Sequence, residues 1–568
     1  MSAPSRRSTA RRITALSTGA ALSLAGLGLA TLGPGGVAGA AAVPAPTIAW
    51  GTCTSSSLSG SGAECGFLSV PLDWDHPAGK KIELAVSRLK ATAIKRQGIM
   101  LVNPGGPGGS GLGLAGLRDV IKDDAGKGYD WIGFDPRGVG ASKPAISCDP
   151  SITKGPRPDY IPDEHTTKLS KEETTWLARS KKYAADCGKK YPDLLAHMKT
   201  TDTVRDMDYI RQALNEKRIN YYGFSYGTYL GEVYATMFPA NVDHMVLDGN
   251  VDPRAVWYSS QLAQDKAFEG VANQFFAWVA KNNKTYNVGA TPAAVQASYT
   301  KVLKQLEAKP KGSIGADEWT DAFVHGMYAE FLWPDTADAL ASYINNGDVG
   351  AARVAYNNSL DADDNGFAVY NAVNCTDTAW PTSYEKTWRP DAFKTATKAP
   401  FMTWSNVWYN TSCLYWPAKP GTPVKVDGTA LAKQKASPGV LLVNATLDGA
   451  TPYSDALHVR SLFPTSRLIA EVGATSHANS LGGNPCIEDR IAAYLANGTV
   501  PKRVAGAGPD VKCKRIPLPE PGFTKYGASL ADPVGNPPPD PNRKSKPAPP
   551  ATDRSLVDSI VGLLPSRR

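Results

Sequence analysis

Metal-binding spacing is missing from this sequence. No two of its eight cysteines stand as a CxxC pair, and its seven histidines are not interleaved with them. The ligand patterns of a zinc site are therefore not met. A dense basic stripe with interleaved aromatics is also missing, which argues against nucleic acid as a partner. The 61 Lys and Arg face 53 Asp and Glu. Four of the basic residues (Arg6, Arg7, Arg11 and Arg12) fall within the first twelve positions, so the remainder stands at 57 against 53, a net of +4. Past the N-terminus, no stretch reaches the roughly 18 uninterrupted apolar residues that a spanning helix needs. No internal repeat is evident. What is present is ordinary globular composition, 42% hydrophobic and 20% charged, which excludes disorder for most of the 568 residues.

The N-terminus reads as an export signal. The arginine-rich start runs into the apolar "ITALSTGAALSLAGLGLATLG" and then Ala38-Gly39-Ala40, the small-x-small pattern of a cleavage site. A membrane anchor is the weaker reading, because the run is rich in Gly, Ser and Thr. Arg11-Arg12 fits a twin-arginine signal. The general export route ranks above it, because cysteines that must pair favour folding outside the cytoplasm. The even cysteine count points to disulfides in an extracellular protein. Eight cysteines permit about 105 pairings. Sequential pairing is the expectation: Cys53–Cys65, Cys148–Cys187, Cys375–Cys413 and Cys486–Cys513, each closing a local loop.

Strand and helix patterns alternate along the chain. "KIELAVSRLKAT" alternates like a half-buried strand, and "GIMLVNPGGPGGSG" is an apolar strand entering a glycine-rich loop. "YDWIGFDPRGVGAS" is another apolar strand ending in a turn. "TTDTVRDMDYIRQAL" spaces Val204, Met207, Ile210 and Leu214 as a helix does. Strand "INYYG", a helix over about 226–238 and strand "VDHMVLDG" follow. This order predicts a mostly parallel, doubly wound α/β sheet. After Pro253 the texture becomes helical, as in "SSQLAQDKAFEGVANQFFAWVAKN" and "DTADALASYINNG". The sheet pattern resumes at "GVLLVNATLDG" and "SRLIAEVG", and the helix "CIEDRIAAYLANG" follows. The expected organisation is a signal peptide over 1–40, a core over 41–253 and 436–516, a helical cap insertion over 254–435, and a proline-rich tail over 517–568. The apolar "SLVDSIVGLLP" at the end of that tail has no assigned role.

Ser225 lies at the centre of the one complete G-x-S-x-G, within "YYGFSYGTYLGE". A sharp strand-to-helix turn leaves no room for side chains two residues either side of the serine, and it lifts the hydroxyl above the sheet. The helix N-terminus there favours negative charge. An oxyanion site needs backbone N–H groups held close together. One is expected from Tyr226, directly after the serine, and the other from "NPGGPGGSG". Pro104 and Pro107 have no N–H, which leaves Gly106, with Gly105 second. No Lys-Ser/Thr follows those glycines, so they do not form a nucleotide loop. The base should follow the acid in the order Ser, Asp, His. His477, after strand "SRLIAEVG", is favoured over His458, which falls within the helical "YSDALHVRSLF". Asp448 ends strand "VLLVNATLD" and is the expected acid. Asp248 also ends a strand and is its rival. A turn-forming Asp before Gly is the plain alternative for either.

The segments "NPGGPGGSG", "FDPRGVGAS", "NYYGFSYGTYLGEVYATMFP", "VDHMVLDGNVDP", "AVNCTD" and "CIEDRIAAYLANG" together resemble the secreted actinobacterial tripeptidyl aminopeptidases of the prolyl-aminopeptidase-like α/β-hydrolase family. The resemblance runs from about Trp50 to Pro517. It implies an α/β-hydrolase fold with a helical cap, and a serine exopeptidase that removes tripeptides or similar short peptides from free N-termini. It also implies Ser225, Asp448 and His477 as the triad, with no cofactor or metal. The implied partners are peptides and proteins with a free N-terminus; nucleic acid and stable membrane association are not expected, and the chain is expected to be monomeric. An aminopeptidase must also recognise an ammonium group. A carboxylate in the cap would serve, with Glu269, Glu318, Glu330 and Asp377 as candidates. Two other readings compete: an esterase or lipase with the same machinery, and a hydrolase-like binding protein. The intact set of Ser225, Asp448 and His477 argues against the second.

Overall fold

The computed structural model describes residues 46–522, apart from 163–165, 167, 359–363 and 479. The expected signal peptide and most of the expected tail lie outside the described residues. Ten strands form one sheet: β1 (Gly51–Thr52), β2 (Glu64–Pro71), β3 (Lys81–Leu89), β4 (Ile99–Asn103), β5 (Asp130–Phe134), β6 (Ile219–Phe224), β7 (Val242–Asp248), β8 (Val440–Ala445), β9 (Arg467–Val472) and β10 (Val511–Lys514). Their spatial order is β1-β2-β3-β5-β4-β6-β7-β8-β9-β10. The pairs β1/β2, β2/β3 and β3/β5 are antiparallel, and the other neighbours are parallel.

The sequence explains that division. "IMLVN", "INYYGF" and "VLLVNA" are buried at every position, as strands covered by helices on both faces must be. β2 includes exposed positions, fitting its place near the sheet edge. The helix Thr200–Ala213 buries Val204, Met207 and Ile210 on one stripe. The fold is an α/β-hydrolase fold with helical insertions.

β7 and β8 are neighbours in the sheet, yet the described chain between them is mostly helical. Its long helices include Tyr258–Lys281, Pro292–Ala308, Ala316–Met327 and Trp333–Asn346. Aromatic rings pack between them. Trp319 and Phe323 lie 4.7 Å apart between centroids, and Tyr299 and Phe323 lie 5.0 Å apart. Residues 517–522, read from the sequence as the start of an extended tail, rest against these helices. Trp278 Nε1 donates to the Pro519 carbonyl at 3.3 Å, and the Gly522 N–H donates to the Tyr286 hydroxyl at 3.1 Å. Disulfides join Cys53 to Cys65, Cys148 to Cys187, Cys375 to Cys413 and Cys486 to Cys513.

Candidate active site

Ser225 follows the last residue of β6 and precedes the helix Tyr226–Met237. Its backbone sits at φ 55, ψ −127, a region that a residue with a Cβ rarely occupies. Hydrogen bonds hold it there. The Ser225 N–H donates to the Asp248 carbonyl at 2.9 Å. The N–H and hydroxyl of Thr228 both donate to the Ser225 carbonyl, at 2.8 and 2.7 Å. The flanking glycines have a steric task. A Cβ on Gly223 would fall 2.5 Å from the Gly227 carbonyl oxygen, and one on Gly227 would fall 2.7 Å from that of Asn103.

The glycine-rich loop after β4 passes directly beside this turn. A Cβ on Gly105 would meet Ser225 Cβ and the Tyr226 nitrogen, each at 2.9 Å. The Gly105 N–H is already given to Asn103 Oδ1 at 2.9 Å. Gly106 lines the same cleft as Ser225, and Tyr226 occupies the first helical position, whose N–H has no partner within the helix. Asp135 holds the far end of the loop. Its Oδ1 accepts from the Ser110 hydroxyl at 2.6 Å and the Gly111 N–H at 3.1 Å, and its Oδ2 from the Ala141 N–H at 2.8 Å.

His477 lies in the loop after β9. Its Nδ1 is 2.8 Å from Asp448 Oδ2 and 3.0 Å from Oδ1. Nδ1 therefore carries the ring proton in the neutral form, leaving Nε2 as the acceptor. Nε2 is buried and has no hydrogen-bond partner among the described residues. Asp448 is oriented in turn by the Ala450 and Thr451 N–H groups, at 2.8 and 2.9 Å, and by the Thr451 hydroxyl at 3.0 Å. The histidine lies close to the end of β7, since a Cβ on Gly249 would fall 2.7 Å from His477 Cε1.

Asp248 is turned elsewhere. Its Oδ2 accepts the Ser480 N–H at 2.7 Å, and its Oδ1 has no partner among the described residues. Burial pushes its carboxyl up to about 7. His458 is partly buried, with Nε2 3.9 Å from Asp252.

The helical region also holds the histidine loop. The Tyr328 carbonyl accepts the His477 N–H at 2.8 Å, and the two rings meet edge to face. Glu330 Oε1 accepts from the Thr475 N–H and hydroxyl, both at 2.8 Å, while its Oε2 pairs with Arg515 at 2.6 Å.

A cleft opens over Ser225, lined by Gly106 and Tyr226 from the core and by Trp257, Tyr328 and Tyr370 beyond β7. None of the four acids expected to meet an ammonium lines it. Glu269 accepts the Phe401 N–H at 3.0 Å. Glu318 binds the Gly315 N–H and Arg157, each at 2.9 Å. Glu330 is committed to the histidine loop. Asp377 accepts the Thr200 N–H and hydroxyl at 2.6 Å and Trp257 Nε1 at 3.1 Å. The acid that does line the cleft is Asp455, on the core helix Tyr453–Leu462. Sequence reading missed it because an Asp in the first turn of a helix is what the helix dipole alone would favour.

The α/β hydrolase fold family model matches residues 98–479. A tripeptidyl aminopeptidase of Streptomyces lividans is 39% identical over 488 residues, covering 84% of this chain and 88% of the relative. The serine protease Hip1 of Mycobacterium tuberculosis is 32% identical, covering 80% and 89%. Carboxylesterase B of the same species is 30% identical, covering 81% and 90%. The chain belongs to the α/β hydrolase fold family. It is a serine hydrolase, and the resemblance to actinobacterial tripeptidyl aminopeptidases stands over most of its length. Within the family's architecture, Ser225, Asp448 and His477 all follow the carboxyl ends of parallel strands, where open α/β sheets bind their ligands.

Proposed function

We propose that this chain is a secreted exopeptidase that releases tripeptides, or similar short peptides, from free N-termini through an acyl-enzyme on Ser225. The observation that carries the reading is His477, with Nδ1 on Asp448 and Nε2 open, in a fold where Ser225 occupies the strained turn. Ser225 Oγ attacks the scissile carbonyl as its proton passes to His477 Nε2. Asp448 keeps the proton on Nδ1 and stabilises the imidazolium. The carbonyl oxygen becomes an oxyanion that takes the Gly106 and Tyr226 N–H groups. On collapse the C–N bond breaks, and His477 gives its proton to the leaving amine. Water, deprotonated by His477, then hydrolyses the ester, and the serine recovers its proton.

Four disulfides among the described residues support the extracellular location, where thiols stay oxidised. No helix among the described residues is long and apolar enough to cross a membrane.

The test offers Ala-Ala-Pro-nitroanilide, its N-acetylated form and a nitrophenyl ester to the purified mature protein. Cleavage of the free peptide well above the acetylated one is expected. Equal cleavage of the two would sink the exopeptidase reading. A second reading, carboxylesterase action by the same triad, is favoured by the relative named carboxylesterase B. Ester turnover without peptide turnover would select it.

A further inference from the structure

Two groups in the cleft lack the partners their chemistry calls for. The first is Asn374, on the helix Asn365–Asp377. It is 1% exposed and lines the cleft with Ser225, and neither its Nδ2 nor its Oδ1 has a hydrogen-bond partner among the described residues. A buried carboxamide left this way is costly, because it has given up its bonds to water without replacing them. One donor and one acceptor side by side match a single peptide group.

The second is Asp455. It is the sole charged residue lining the cleft among the described residues, and no Lys, Arg or His pairs with it. Its carboxyl accepts from the Ser454 hydroxyl at 3.1 Å and from the Asp252 N–H. Burial, with the negative charge of Asp252, pushes it up to about 7. Arg460, the nearest Lys or Arg in the chain, pairs with Asp510 at 2.7 Å, and Arg254 is engaged with Asp252 at 2.6 Å. A helix-dipole role accounts for an acid in this first turn, but not for its turning into the cleft without a counter-charge.

We propose that Asp455 and Asn374 hold the amino end of the substrate, Asp455 taking the α-ammonium and Asn374 pairing with a peptide group between that amine and the scissile bond. The assignment rests on the exopeptidase reading and gives it a specificity device. The one acidic side chain lining the cleft among the described residues is a carboxyl, which an ammonium stabilises in its ionised form and which disfavours a second carboxylate. Because Asp455 is fixed relative to Ser225, it also limits how many residues fit between the amine and the attacked carbonyl. The recognising acid comes from the core helix after Asp448, and the recognising amide from the helical region.

The measurement is the ratio of kcat/KM for Ala-Ala-Pro-nitroanilide to that for its N-acetylated form. A high ratio is expected for the wild-type enzyme. Asp455→Asn should lower kcat/KM for the free peptide by about 100-fold, mostly through KM, and bring the ratio toward one. Asp455→Glu keeps the charge and should retain a preference for free N-termini, with a changed preference for peptide length. Asn374→Ala should weaken both peptides by about tenfold, because it removes hydrogen bonds that both make. A high wild-type ratio left unchanged in Asp455→Asn overturns the proposal and spares the exopeptidase reading. A wild-type ratio near one overturns both. If Asp455→Asn and Asp455→Glu are equally inactive on both peptides, Asp455 serves the fold or the triad and the proposal falls.

Discussion

Ser225, Asp448 and Asp248 carry different loads, and substitution separates them. Ser225→Ala is expected to abolish turnover with the circular dichroism spectrum unchanged. Asp448→Asn removes the acceptor that orients Nδ1, and a fall of about 10⁴ in kcat is expected. Asp248→Asn should leave kcat within about tenfold, because its carboxyl bonds Ser480 rather than the imidazole. The same variant tests a pH effect. Burial raises the Asp248 carboxyl to about 7, above its unfolded value of 3.8. The folded state thus binds this proton more tightly than the unfolded state, and stability is lost as pH rises from about 4 through 7. The shift corresponds to about 4 kcal/mol above pH 7. Unfolding curves at pH 5 and pH 8 should show the wild type losing more stability on going to pH 8 than Asp248→Asn does; parallel changes in both proteins would refute the assignment. At this scale the sequence was informative where constraint is local. A strand, two glycines and a helix start dictate the turn at Ser225. The rivalry between Asp448 and Asp248 was not local, because both end a strand before a glycine.

The helices between β7 and β8 reach into the site through the backbone of Tyr328 and the side chain of Glu330. That connection predicts an effect on kcat far from the substrate. Glu330→Gln breaks the ion pair with Arg515 and weakens the hold on Thr475, two residues before His477. We expect kcat to fall about tenfold for free peptide, blocked peptide and ester alike, since a base moved from its place slows every acyl transfer. A loss confined to free peptides would instead place Glu330 in amine recognition. Stability within this layer depends on its aromatic packing. Trp319 is fully buried against Phe323, and Trp319→Ala should cost about 3–5 kcal/mol in denaturant unfolding. The helices themselves were legible from the helical texture of the sequence, as in "SSQLAQDKAFEGVANQFFAWVAKN", which lies over the helix Tyr258–Lys281. Their acids were not. Glu269, Glu318, Glu330 and Asp377 look alike in sequence, and each is committed to a backbone or side-chain donor that only packing brings near.

Among the described residues the strands form one sheet, flanked by helices, and four disulfides close loops. The Cys375–Cys413 bridge joins the helix that carries Asn374 to the turn Thr411–Leu414. Its sequence separation of 38 residues corresponds to about 4 kcal/mol of chain-entropy stabilisation. Replacing both cysteines with alanine should lower the unfolding midpoint and raise KM for peptides more than it lowers kcat, and a variant unchanged in both would show that the bridge bears no load. By itself the sequence determined what short-range sterics and periodicity enforce: the buried parallel strands, the strained turn at Ser225, the chain order of serine, acid and base, and the helical texture after Pro253. Tertiary structure decided which carboxylate faces the cleft and what holds the histidine in place. Turns and periods are written in neighbouring residues. The partners of Glu330 come from segments far away in the chain, and the cleft that Asp455 and Asn374 line is assembled from several such segments, so only folding sets whether each group is satisfied or left open.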